Sequence, residues 1–158
     1  NKGGKLFMNK YAIRAKENFL KGYNCTQSVV LAFSDELDID EEALLRLASS
    51  FGGGMGRLRE VCGAVSGMFI VAGLKYGYSL PKDIEGKTEH YKRIQDLAAS
   101  FKEKNGSIVC RELLGLNTKT SSYVPSARTD EYYKKRPCPD ICGEAAGIIG
   151  DYIMNYEK

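Results

Sequence analysis

Residues 51–77 read FGGGMGRLREVCGAVSGMFIVAGLKYG, and the fold turns on this stretch. Three consecutive glycines, Gly52 to Gly54, and a fourth at Gly56 open it, followed by the charged Arg57, Arg59 and Glu60. Beyond Glu60 only Lys75 carries a charge, and the run reads as an apolar helix rich in small residues. Glycine costs a helix roughly 1 kcal/mol relative to alanine, so Gly63, Gly67 and Gly73 in one helix need a reason. Gly63 and Gly67 stand four apart, which lets another helix or a cofactor reach the backbone. Cys62 falls in the first turn, where the positive end of the helix dipole favours the thiolate. The thiolate is the form that attacks disulfides and binds metal.

Outward from this stretch the chain keeps a helical period. Residues 8–22 place Tyr11, Ala12, Ala15, Phe19 and Leu20 on one face, with Gly22 as the stop. Asn24 caps a second helix, CTQSVVLAFSDEL, that begins at Cys25, and Asp40 caps a third, EEALLRLASSF, which the triple glycine ends. After the central helix, residues 83–104 align Tyr91, Ile94, Leu97, Ala98 and Phe101. Asn105-Gly106 breaks that helix, and Ser107 caps a short one, IVCRELLG, holding Cys110. Residues 116–136 are polar and predict a mobile loop. The last helix starts at Cys138-Pro139, since proline favours the first helical position. No strand alternation and no internal repeat is present. The expectation is an all-α, single-domain bundle of about six to seven helices over 1–158, with closely packed small-residue helix faces.

The chain of 158 residues is long enough to bury a hydrophobic core. Its formal net charge of +3, with both signs interleaved, argues against nucleic acid as a partner. The longest apolar segment is shorter than the about 20 residues a membrane span takes. NKGGKLF at the start carries no apolar signal region, so a cytoplasmic protein is expected. Five cysteines, an odd count, do not suggest a disulfide framework.

Cys25, Cys62, Cys110 and Cys138 each fall at the start of a predicted helix. Helix starts present free N–H groups and positive potential, which stabilise thiolates or an anionic cluster. The four lack the paired C-x-x-C of zinc ribbons. They are candidates either to ligate an iron–sulfur cluster or to pair as redox-switching dithiols.

The ordered blocks NCTQSVVLAF, GGGMG, EVCGAVSGMFIVAGLKYG, SIVCRELLG and RPCP followed by EAAGII resemble the family named for its cysteine pattern, C_GCAxxG_C_C. That family comprises small bacterial and archaeal proteins described as redox-active. The likeness runs from about Gly22 to Ile149. Its four cysteines fall on Cys25, Cys62, Cys110 and Cys138, whereas Cys142 stands where an apolar residue is expected. The resemblance implies an all-helical fold and redox or metal chemistry through these cysteines. A similar module in a multihaem cytochrome suggests an iron–sulfur centre, while the chain has no C-x-x-C-H for covalent haem.

The remaining features have plainer readings. GGGMG matches neither the dinucleotide fingerprint nor the P-loop. Arg57 and Arg59 read as a solvated face, with offsetting a thiolate cluster as the alternative. His90, the only histidine, reads as a surface residue. Three functions compete. The first is electron transfer by an iron–sulfur cluster or other metal on the four cysteines, with Gly63 and Gly67 giving it room. The second is a thiol–disulfide oxidoreductase using the same thiols. The third is a helical partner-binding module whose cysteines only pack. A redox partner protein is expected but unidentified, and small-residue faces make a homodimer plausible.

Overall fold

The structure is a computed structural model and describes residues 9–117 and 120–157. The polar N-terminal stretch, the Met8 start of the first helix, and Thr118 and Lys119 of the polar segment lie outside the described residues. Within them the protein is all-α, with six helices of seven or more residues. The one strand-like feature is a single antiparallel bridge between Val61 and Val109.

Local capping explains most helix starts. The Asn9 side chain accepts the Ala12 N–H to open α1 (Lys10–Leu20). Asn24 and Gln27 form a reciprocal capping box on α2 (Cys25–Leu31). Asp40 caps α3 (Glu41–Ala48), a 3₁₀ turn follows at Ser49–Phe51, and the glycine run makes the short turn α4 (Gly52–Met55). Then come α5 (Gly63–Tyr76), α6 (Ile84–Asn105) capped by Asp83, α7 (Cys110–Leu113), α8 (Asp130–Lys135) capped by Thr129, and α9 (Cys138–Tyr156).

Two boundaries differ from expectation. Helix α2 stops at Leu31, and the chain continues in tight turns bonded three residues apart, from Ala32 to Val29 through Glu36 to Phe33. Those turns swing Phe33 fully into the core, where its ring stacks on Tyr11 at 4.3 Å between centroids. Residues 116–136, expected as a mobile loop, carry α8 and several long-range hydrogen bonds. Ser121 N–H donates to the Arg57 carbonyl, and the Arg128 guanidinium donates to the carbonyls of Phe19 and Tyr23.

Helix α5 is apolar on every side, as a central helix must be. Gly63 through Met68, Val71 and Ala72 are all buried. Helix α2 lies along it, while α1 lies along α9. Gly67 makes that approach feasible: a Cβ there would sit 2.8 Å from Val29 Cβ and 3.0 Å from the Thr26 carbonyl. Thr26 Oγ1 also donates to the Gly63 carbonyl at 2.8 Å, joining the starts of α2 and α5. The close approach read from Gly63 and Gly67 is thus made by a helix. Phe19, Leu44, Met68, Phe101 and Ile149 fill the core around it, each contributing about 1.5–3 kcal/mol by burial. Among the described residues no helix is long and apolar enough to cross a membrane.

Candidate functional site

Two backbone devices gather the cysteines. The first is the bridge at Val61. Cys62 N–H donates to the Ile108 carbonyl at 2.8 Å, and Cys110 N–H donates to the Glu60 carbonyl at 2.6 Å. This two-way exchange sets the start of α5 beside the start of α7. The second is the contact of α2 with α5 and α9, which brings Cys25 to Cys138 and Cys142. The thiols of Cys25 and Cys138 lie side by side. Cys142, one turn along α9, points its Sγ at the Cys25 carbonyl at 3.8 Å. All five cysteines are free.

Cys25, Cys62, Cys110 and Cys138 line one cavity of about 310 Å³. Gly63 lines it too, whereas Gly67 faces α2, and Cys142 lies behind Cys25. Among the described residues, no group of three or more Cys, His, Asp or Glu side chains is placed to hold a single metal ion. The four thiols ring a space instead.

Burial, not the helix dipole, sets the protonation of Cys62. Desolvation pushes the Cys62 thiol up to about 12, against the pull of the Val65 and Ala64 N–H groups at the start of α5. The neighbouring Cys25 thiol, then burial, drives Cys138 upward, with Arg136 and Arg59 opposing. For Cys25 the Cys138 thiol lowers, but Cys142, burial and neighbouring thiols together raise it well above the usual value. Burial also raises Cys142. The expectation of a dipole-stabilised thiolate is corrected here: a few N–H groups do not repay removal of a thiolate from water.

One wall of the cavity is built by the glycine run. Gly53, Gly54, Met55, Gly56 and Arg57 have φ of 72°, 70°, 68°, 63° and 67°, and Arg59 has 60°. This is a left-handed turn, a conformation costing L-residues roughly 1–2 kcal/mol each. Three non-glycine residues hold it only because the surroundings fix them. At Gly54 a Cβ would fall 2.6 Å from Cys110 Cβ and 2.9 Å from Arg59 Cα, so the turn closes directly on Cys110.

That turn throws arginines into the site. Arg59 is 4% exposed; its Nε donates to Ser121 Oγ at 2.8 Å and its Nη1 to Cys110 Sγ at 3.6 Å. It is not the solvated residue its neighbourhood in sequence suggested. Arg57, Arg128 and Arg136, all half-buried, line the same cavity, and among the described residues no Asp or Glu does. Arg57 Nε donates to the Ser122 carbonyl at 2.6 Å, Arg128 lies over the Phe19 ring at 3.9 Å, and Arg136 lies over Tyr132 at 5.7 Å. Sequence reading missed Arg128 and Arg136, which stand in the polar segment among lysines and tyrosines. No local pattern there marks them.

His90 is also corrected. It is 9% exposed, with Nδ1 2.9 Å from Arg93 Nη1, far along α5 from the cysteines near Gly73 and Tyr78. A turn of α6 that buries Arg93 and Leu97 buries His90 as well. Glu60 is exposed and pairs with Arg111 at 3.2 Å.

Neither a curated protein nor a solved structure matches the chain. One family does, over residues 23–152, a span that holds the four cavity cysteines and the four arginines beside them. Its description is "Putative redox-active protein (C_GCAxxG_C_C)", and the chain belongs to that family.

Proposed function

We propose that the protein performs redox chemistry at this cavity, with Cys25, Cys62, Cys110 and Cys138 holding an iron–sulfur cluster for electron transfer. The observation that carries the reading is one cavity lined by four thiols and four arginines and, among the described residues, no carboxylate. The donor set is the one iron–sulfur clusters take. A cluster spans several ångströms, so ligands spaced round a cavity suit it where they do not close on one ion. Such a centre is anionic, and the guanidinium groups and the N–H groups at the start of α5 would offset its charge. When bound, it would supply reversible one-electron transfer. The protein's own groups would hold it, exclude water and tune its charge. Five free cysteines accord with a reducing compartment, and we place the protein in the cytoplasm.

The test is iron and acid-labile sulfide content, with a visible spectrum, of protein purified without oxygen. Stoichiometric iron and sulfide, lost in Cys62→Ser and Cys110→Ser, are expected. Colourless, iron-free protein from that preparation would sink the cluster reading.

A second reading has its own observation, the neighbouring thiols of Cys25 and Cys138 on the cavity wall. They would cycle between dithiol and disulfide, passing two electrons and two protons to an acceptor. The raised thiols weaken this reading at neutral pH, because the attacking form is scarce. Mild oxidation that removes two thiols and yields a Cys25–Cys138 peptide by mass spectrometry would favour it.

A further inference from the structure

The redox reading leaves much of the cavity's charge unused. Four guanidinium groups line the cavity, and none of them pairs with a carboxylate among the described residues. Arg59 is 4% exposed, yet its side chain donates only to a hydroxyl and a thiol. A buried charge without a counter-charge is costly. Burial raises the Cys62 thiol, and the Cys25 thiol and then burial raise Cys138, so neither of these two provides one. A four-thiolate cluster would bring roughly two negative charges, leaving part of the arginine charge unmatched. The guanidinium groups also crowd one another: burial, then the charges of Arg59 and Arg136, lower the Arg57 pKa. Chain that is strained and left-handed from Gly53 to Arg57 holds this arrangement, and Ser121, Ser122 and Ser126 brace it.

The rest of the lining says what else the occupant presents. Phe19, Leu113, Tyr123 and Tyr132 offer apolar and aromatic surface between the arginines. About 310 Å³ lies at the small end of ligand pockets. Tyr123 is 90% exposed and stands at the rim, so the pocket opens to solvent there.

We propose that this cavity binds a small organic polyanion, bearing carboxylate or phosphate groups, between Arg57, Arg59 and Arg136, next to the thiols. The redox partner is then a small anion that enters past Tyr123. Calling it a redox partner rests on the reading above; the binding itself does not.

The test uses purified full-length protein and two redox-inert probes, citrate and pyrophosphate, followed by calorimetry and by thermal shift. Choline serves as a cationic control. Saturable binding of at least one polyanion at physiological salt is expected, weakened about tenfold or more in Arg57→Gln and Arg136→Gln. Lys134→Gln removes the same charge from an exposed site outside the cavity and is expected to leave binding unchanged. Arg57→Lys, which keeps the charge, guards against misfolding as the cause and should bind more tightly than Arg57→Gln. Bound citrate should also slow alkylation of the half-buried Cys138.

Absence of binding by both probes overturns the proposal. So does binding that Arg57→Gln, Arg136→Gln and Lys134→Gln weaken equally, which would mark an attraction to net charge only. Anion binding that survives in iron-free protein would retain this inference while the cluster reading fell. Iron-loaded protein that ignores both anions would do the reverse.

Discussion

Each end of α5 buries an arginine, and the two are kept in opposite ways. Beyond its C-terminal residue Tyr76, Arg93 is 6% exposed. It donates to Tyr152 Oη at 2.8 Å, to the Tyr76 carbonyl, and toward His90 Nδ1, and it pairs with Glu89 at 3.5 Å. The rings of Tyr76, Tyr152 and Tyr156 lie within 5.0 to 6.0 Å of its guanidinium carbon. At the other end Arg59 is buried equally, but it has a hydroxyl, a thiol and a cavity for company. Aromatic faces and a carboxylate make Arg93 part of the packing. Arg59 has its geometry fixed and its charge unanswered, which is how a binding residue differs from a structural one.

The largest expected effect tests whether the cavity end is as rigid as this contrast needs. Gly54→Ala adds a Cβ 2.9 Å from the backbone at both Arg59 and Glu60, at a φ of +70°. A loss of about 4 kcal/mol in denaturant unfolding is expected, from strain plus overpacking. A loss below about 1 kcal/mol would mean the turn is slack, and the arginines would not be held in place.

Next comes the packed end. Arg93→Ala removes the cation from three tyrosine faces and several hydrogen bonds, and a destabilisation of about 3 kcal/mol is expected. The contrast fails if Arg93→Ala is as mild as substitution at the other end.

Thiol titration separates the ends in a different way. Folding holds the Cys62 proton up to about pH 12, while an unfolded cysteine releases it near 8.5. The unfolded chain then binds fewer protons, so stability is fully present below about pH 8.5 and falls as pH rises toward 12. Unfolding free energy measured from pH 8 to 11 should fall more steeply in the wild type than in Cys62→Ala. Equal slopes would remove Cys62 as a source.

The smallest effect is the most telling. Arg59→Met replaces an unanswered charge with an apolar chain of similar reach. Stability without added anion should change by less than about 1 kcal/mol, or rise. A loss as large as that of Arg93→Ala would show that Arg59 is packing after all.

Much of the helical layout was legible because capping and periodicity act over three or four residues. Asn24 and Asp40 cap the helices read from them, and Gly106 ends α6 at a φ of +87°. The short α2 was not legible, because its end is set by where Phe33 meets Tyr11. Helix α8 was hidden in a polar stretch whose order comes from arginines far away, such as the Arg57 bond to Ser122. His90 looked solvated among charges, and only the packing of α6 buried it.

The sequence by itself determined most of the helices, the small face of α5 and the family's four cysteines, since each is carried by neighbouring residues or by an ordered motif. Only the tertiary structure decided that those cysteines share a cavity with arginines and, among the described residues, without acids, that burial keeps the Cys62 thiol protonated, and that Cys142 backs onto Cys25. Charge and desolvation depend on everything within a few ångströms, and across this cavity Arg59 and Ser121 meet although they stand 62 residues apart in the chain.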